Sequence, residues 1–283
     1  MKNRLAILLA VCLMVAVGCG SNAIANTVIE SQNLTRAVSY EEPRYQLDTT
    51  IWQEQYTAED GAELLEYSYQ LLELSVVNPE AIAPEEKAAA QLNAENFNDH
   101  MAQRMAAAEE MMWETLSNAQ IAYEEGYFGG VYTDETTASG LILGQIISVR
   151  LDNYSYSGGA HPHRFSLGSV FDLSAGRFID PAQLADNPES FRVGVAALLV
   201  EKADAMGEEY TAGYWSDYRE IIAQWNEGSV LFDENGMTVH YSPYEIGPYA
   251  MGDLDLFISY EELAPLMGLG GMAKLGASSE AAE

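Results

Sequence analysis

The stretch Met237–Gly252, MTVHYSPYEIGPYAMG, changes character at its middle. Its first part alternates, with Met237, Val239 and Tyr241 on one side and Thr238, His240 and Ser242 on the other. That is the period of a half-buried strand. Two Pro-Tyr pairs follow, Pro243-Tyr244 and Pro248-Tyr249. Proline fixes φ and removes a backbone donor, so the chain leaves the sheet here as a stiff, tyrosine-bearing loop. Such a loop serves either as a binding surface or as a lid over a core. Just upstream, Asp233-Glu234-Asn235-Gly236 contains Asn-Gly, the strongest short turn signal, and predicts a hairpin of 229–232 with 237–241. Downstream, Leu254, Leu256, Ile258 and Tyr260 alternate again, and Glu261–Met267 reads as a last helical turn. The loop is therefore expected to hang from one antiparallel sheet at both ends.

Working outward, residues 188–209 predict a helix with Phe191, Val195, Leu198 or Leu199, and Ala203 on one face. The aromatic stretch after it, with Tyr210, Tyr214, Trp215, Tyr218 and Trp225, fits a short helix closing the core. Residues 145–176 predict two strands. Ile147, Val149 and Leu151 lead the first, whose phase slips near Asp152-Asn153 as at a bulge before Tyr154 and Tyr156. Phe165, Leu167, Phe171 and Leu173 mark the return. Between them lies Ser157-Gly158-Gly159-Ala160-His161-Pro162-His163, a turn needing backbone freedom at both glycines. Residues 126–144, rich in glycine and threonine, read as a loop or weak hairpin.

The clearest helix is 88–125, where Phe97, Met101, Met105, Ala108, Met112, Leu116 and Ala119 form one amphipathic stripe. A methionine stripe can be a partner groove, but at helical spacing it is read here as core. Residues 44–77 predict two strands around a turn at Glu59-Asp60-Gly61. The expected class is α+β, with antiparallel sheets, packed helices and a flexible tail over 268–283.

The 283 residues carry a formal net charge of −30, from 13 basic and 43 acidic side chains. Such a surface repels nucleic acid and anionic membrane and attracts cations and basic proteins. Both cysteines, Cys12 and Cys19, lie in the first twenty residues, so the body has no disulfide and no thiol nucleophile.

Residues 1–19 read as an export signal. Lys2 and Arg4 precede the apolar run Leu5–Val17, which is too short for a comfortable membrane span. Ala16-Val17-Gly18-Cys19 resembles the lipobox of bacterial lipoproteins, with Cys19 as the lipidated residue. Ala23-Ile24-Ala25 offers an ordinary cleavage site instead. Residues 20–43 read as a polar tether. Without Lys2 and Arg4 the balance is 11 basic against 43 acidic residues, or −32. The expected location is extracytoplasmic, anchored by lipid to the membrane.

His161 and His163 share a strand face in principle, but Pro162 divides them and no third ligand has fixed spacing. No metal is expected, and His161 is read as bracing its turn through a backbone hydrogen bond. Nucleophile-elbow, phosphate-loop and dinucleotide signatures do not occur in the sequence, and no cofactor is expected. The chain is read as a non-enzyme.

Tyr156-Ser157-Gly158-Gly159-Ala160-His161-Pro162, followed by Pro243-Tyr244-Glu245-Ile246-Gly247-Pro248-Tyr249-Ala250-Met251-Gly252, resembles the paired signature of the RsiV-like C-terminal domain family. The resemblance places that domain at 126–267. Residues 44–125 resemble the PdaC-like companion domain that precedes it. The family implies an α+β extracytoplasmic module, which in RsiV binds lysozyme. His163 stands where many relatives have Asn. By this resemblance Tyr156, Gly158, Gly159, His161, Tyr244 and Tyr249 are candidate binding residues, with Pro162, Pro243, Pro248 and Gly252 as structural motif residues. The expected function is a cell-surface lipoprotein that binds lysozyme or another cationic protein. The alternative is a peptidoglycan- or glycan-binding envelope protein, with Tyr156, Tyr244 and Tyr249 stacking on sugars. An enzyme of unknown chemistry is a third reading.

Overall fold

The computed structural model describes residues 24–32 and 44–277. The expected export signal, with Cys12 and Cys19, lies outside the described residues.

A seven-stranded sheet runs in sequence order: β1 (Ile24–Gln32), β2 (Arg44–Thr57), β3 (Glu63–Val77), β4 (Tyr132–Leu143), β5 (Ile146–Tyr156), β6 (His163–Asp172) and β7 (Arg177–Ile179). Neighbours pair antiparallel except β3 and β4, which run parallel. A parallel pair needs a crossover, and helix α1 (Pro84–Glu124) supplies it. The sheet thus takes strands from both before and after this helix.

Helix α1 begins with Pro84 at its first turn and Glu85 and Glu86 beside it, a pairing that suits the unsatisfied N–H groups and the positive end of the dipole. The expected stripe is the one that packs: Phe97, Met101, Met105, Met112, Leu116 and Ala119 are buried. Phe97 is fully enclosed, with Phe171 edge-on and Phe178 stacked, each 5.5 Å away by ring centroid.

Four expectations change. Residues 126–144, read as a loop or weak hairpin, are mostly the long strand β4, which pairs antiparallel with β5. Its inward side carries Tyr132, Asp134, Thr136 and Ala138, and polar inward residues conceal a strand from hydrophobic pattern. Pairing through Asp152 and Asn153 is continuous, so there is no bulge there. The apparent phase slip arises because Tyr154 lies on the exposed face, out of step with the buried Val149 and Leu151. Within the tether span, Ile24–Gln32 pairs with β2, as its run Thr27-Val28-Ile29 favours. Residues 268–274, expected to belong to a flexible tail, are helical. The last helix runs Tyr260–Lys274, crossing a kink at Gly268, and buries Met272 and Leu275.

A second sheet of three strands has the order β10 (Leu254–Ser259), β9 (Gly236–Tyr241), β8 (Val230–Phe232), all antiparallel. This is the hairpin predicted from Asn235-Gly236. Its outer face, Met237, Val239, Leu256 and Ile258, packs with Val195 and Leu199 of helix α2 (Pro188–Ala205). The short helices α3 (Glu208–Thr211) and α4 (Tyr218–Ala223) follow α2, and α5 is Tyr260–Lys274. A capping box of Ser259 and Glu262 starts α5.

The two sheets meet face to face at β6 and β8. A Cβ on Gly168 would stand 2.1 Å from the Val230 carbonyl oxygen, so only glycine permits this approach. Ser148 Oγ accepts from the Phe232 amide at 2.9 Å, tying β5 to β8. Helix α1 covers the opposite face of the large sheet, where Phe171, Val149 and Ile147 meet Phe97 and Met101.

Candidate functional site

Both signature turns arrive at one place. The first joins β5 to β6, and Gly158 and Gly159 have φ of 87° and 101°, the left-handed region that glycine tolerates. Tyr156 donates across this turn to the Gly159 carbonyl at 3.2 Å. The second runs from β9 to β10. Pro243 is buried at its start, Pro248 precedes the single 3₁₀ turn Tyr249–Met251, and Gly252 closes it at φ 73°.

His161 joins the two turns. Its Nδ1 lies 3.0 Å from the Pro162 carbonyl oxygen and its Nε2 lies 2.9 Å from the Tyr244 hydroxyl. A carbonyl can only accept, so in the neutral ring Nδ1 carries the proton and Nε2 accepts from Tyr244. The imidazole also lies flat on Tyr249, with centroids 3.8 Å apart and planes at 13°. Tyr244 and Tyr249 sit 5.7 Å apart by centroid. The backbone bond to Pro162 is the bracing expected of His161. His163 is exposed and tilts toward Phe165 instead of converging with His161. Among the described residues no group of three metal-ligating side chains comes together.

Two features were missed in the sequence. Tyr244 has φ 75°, one of two non-glycine residues in the left-handed region among those described. An aromatic side chain there is strained by about 1–2 kcal/mol, and such strain persists only where the surroundings impose it. Trp215 imposes part of it: its Nε1 donates to the Tyr244 carbonyl at 3.3 Å, and its amide donates to the Ile246 carbonyl at 2.8 Å. Trp215 stood out only as one member of an aromatic stretch. Tyr244 is 50% exposed and Trp215 40% exposed, so the cluster is a surface and not a buried latch.

A separate polar row lies under α1. Glu54, Tyr67 and Asp134 are direct neighbours across β2, β3 and β4. Tyr56 donates to Glu54, and Asn153 donates to Asp134 at 2.8 Å. Burial pushes Glu109, on α1, and Asp134 above the usual carboxylate range, with Glu54 adding to the effect on Glu109. Trp52 Nε1 and the hydroxyls of Tyr67 and Tyr69 are buried with no hydrogen-bond partner.

Residues 200–261 match the family described as Protein of unknown function (DUF3298). The match spans β8–β10 and the second signature turn and begins downstream of the first. No curated protein matches. Among solved structures, a DUF3298 family member from Bacteroides fragilis is similar at 16% identity and TM-score 0.61, covering 83% of this chain and 99% of that one. A DUF3298 family protein from Pseudomonas aeruginosa aligns at 14% identity and TM-score 0.46, over 89% of this chain and 97% of that one. At these identities the likeness to the Bacteroides protein is one of fold. Over residues 200–261 the chain therefore carries a DUF3298 domain, a domain of unknown function.

Proposed function

We propose that the protein is a non-enzymatic, extracytoplasmic binding module, anchored through Cys19, whose signature face takes a cationic protein of the lysozyme kind. The observation that carries this reading is the exposed cluster of Tyr244, Tyr249, His161 and Trp215, held rigid by hydrogen bonds and stacking. Tyrosine and tryptophan dominate binding hot spots because they bury much area at little entropic cost. A formal charge of −30 draws a basic partner in and sets the encounter rate. The RsiV-like reading of the two signature turns belongs to this proposal, as does the lysozyme class of partner.

The test is calorimetric titration of the soluble body with a lysozyme at low and at high salt. Saturable binding that weakens steeply with salt is expected. Absence of heat and of muramidase inhibition at low salt defeats the proposal. Salt-insensitive retention on isolated cell wall instead favours a glycan-binding module.

A further inference from the structure

Away from the signature face, the two sheets part to leave a cleft of about 380 Å³. One wall is β4 and β5, where Ser139 and Arg150 are cross-strand neighbours and Ser148 lies beside them. The other wall is the inner face of the small sheet, with Thr238, Asp255 and Asp233. This volume falls in the range of small-molecule sites and is too small for a folded partner.

Each charged group in the cleft is only partly engaged. Arg150 Nε donates to both carboxylate oxygens of Asp152, at 2.7 and 2.9 Å, and Nη2 reaches Ser166 at 3.3 Å, which leaves Nη1 to donate. Asp255 Oδ1 accepts a hydrogen bond from His240 Nδ1 at 2.7 Å, which leaves Oδ2 to accept. Asp233 Oδ1 is filled by the amides of Asn235 and Gly236, at 2.6 and 3.0 Å, leaving its other oxygen. Ser148 Oγ already accepts from Phe232, so its proton remains to donate. His240 beneath Asp255 is 3% exposed, and its buried Nε2 has no hydrogen-bond partner but faces Asp253 Oδ1 at 4.0 Å. The cleft therefore offers donors and acceptors side by side. Asp233 and Asp255 line the cleft with one cation, Arg150, which is itself paired with Asp152, and this balance disfavours carboxylated and phosphorylated ligands.

We infer that this inter-sheet cleft is a binding site for a short saccharide, neutral or amine-bearing, whose hydroxyls donate to Asp233 and Asp255 and accept from Arg150 and Ser148. Sugar hydroxyls both donate and accept, which matches the alternation in the cleft better than a purely cationic or apolar ligand does. The site is independent of the aromatic signature face and of what that face binds.

Saturation-transfer NMR on the soluble body with N,N′-diacetylchitobiose, with its de-acetylated amine form and with a glucuronate-containing disaccharide provides the test. Transfer to the first two, absent for the third, is expected in the millimolar range. Ser139→Trp, at an exposed strand position, should abolish it, and Asp255→Asn should weaken it at least tenfold. Both variants are checked by thermal melting. Trp215→Ala should leave the sugar signal unchanged. No transfer to either neutral or amine disaccharide, equal transfer to the glucuronate, or transfer that survives both cleft variants overturns the inference. Loss of lysozyme binding with the sugar signal intact overturns only the reading of the signature face.

Discussion

His161 lies flat on Tyr249, their rings 3.8 Å apart, although one belongs to the β5–β6 turn and the other to the loop after β9. That stacking and the bond from Tyr244 to His161 make one surface from two turns on different sheets. If this surface binds the partner, Trp215→Ala should lower lysozyme affinity by about 30-fold or more, a loss of about 2 kcal/mol or more as at other hot spots. Titration of the variant against the parent measures it, and an unchanged affinity places binding elsewhere.

Tyr244 separates stability from binding. Replacing it with glycine releases the strain at φ 75° and also removes the ring and the bond to His161. Tyr244→Gly should leave the melting temperature unchanged or raise it, by up to about 1 kcal/mol of stability, while binding is lost. A large fall in melting temperature would instead make this loop a structural latch.

Gly168 sets the distance between the sheets. Any Cβ there would meet the Val230 backbone, which cannot move aside as a flexible side chain would. Gly168→Ala should destabilise the protein by about 1–3 kcal/mol, read by denaturant unfolding.

The polar row under α1 should show in the pH dependence of stability. Glu109 has a raised folded pKa, because burial and Glu54 disfavour its charge. Its protonated form is favoured in the native state, so its contribution is present below the unfolded pKa of about 4.3 and is lost as pH rises through the folded value. Glu109→Gln should therefore raise the melting temperature at pH 7.5 and not at pH 4. A gain of equal size at both pH values rules out charge burial as the cause.

Asp172 behaves oppositely. Burial alone would raise its pKa, but Lys274 at 2.6 Å and Ser174 hold it below the usual carboxylate range. Its stabilisation is present above the unfolded pKa of about 3.9 and fades as pH falls through the lower folded value. Lys274→Met removes the ion pair that ties α5 to the end of β6 and should cost about 1–3 kcal/mol at pH 7. The difference from the parent should shrink as the pH falls and the carboxylate takes up its proton.

Much of the fold was legible in short-range pattern. The stripe from Phe97 to Ala119 could bury only as a helix, and Asn235-Gly236 between alternating runs could close only as a hairpin. Two glycines before His161 announced a turn, and two prolines after Tyr241 announced the end of a strand. Local covalent geometry and side-chain period determine such features, so the sequence by itself determined them. Other features depended on neighbours far along the chain. Asp134 and Thr136 face inward because Tyr67, Tyr69 and Asn153 meet them there, and β4 therefore carries no apolar alternation to read. Trp215 enters the site only through the Tyr244 carbonyl, and Tyr244 takes a positive φ only because the folded loop holds it there. Whether Tyr244 and Tyr249 would be lid or surface was a matter of exposure, and exposure is set by how whole layers pack. Only the tertiary structure could decide it, and it placed Tyr244 half in solvent against His161.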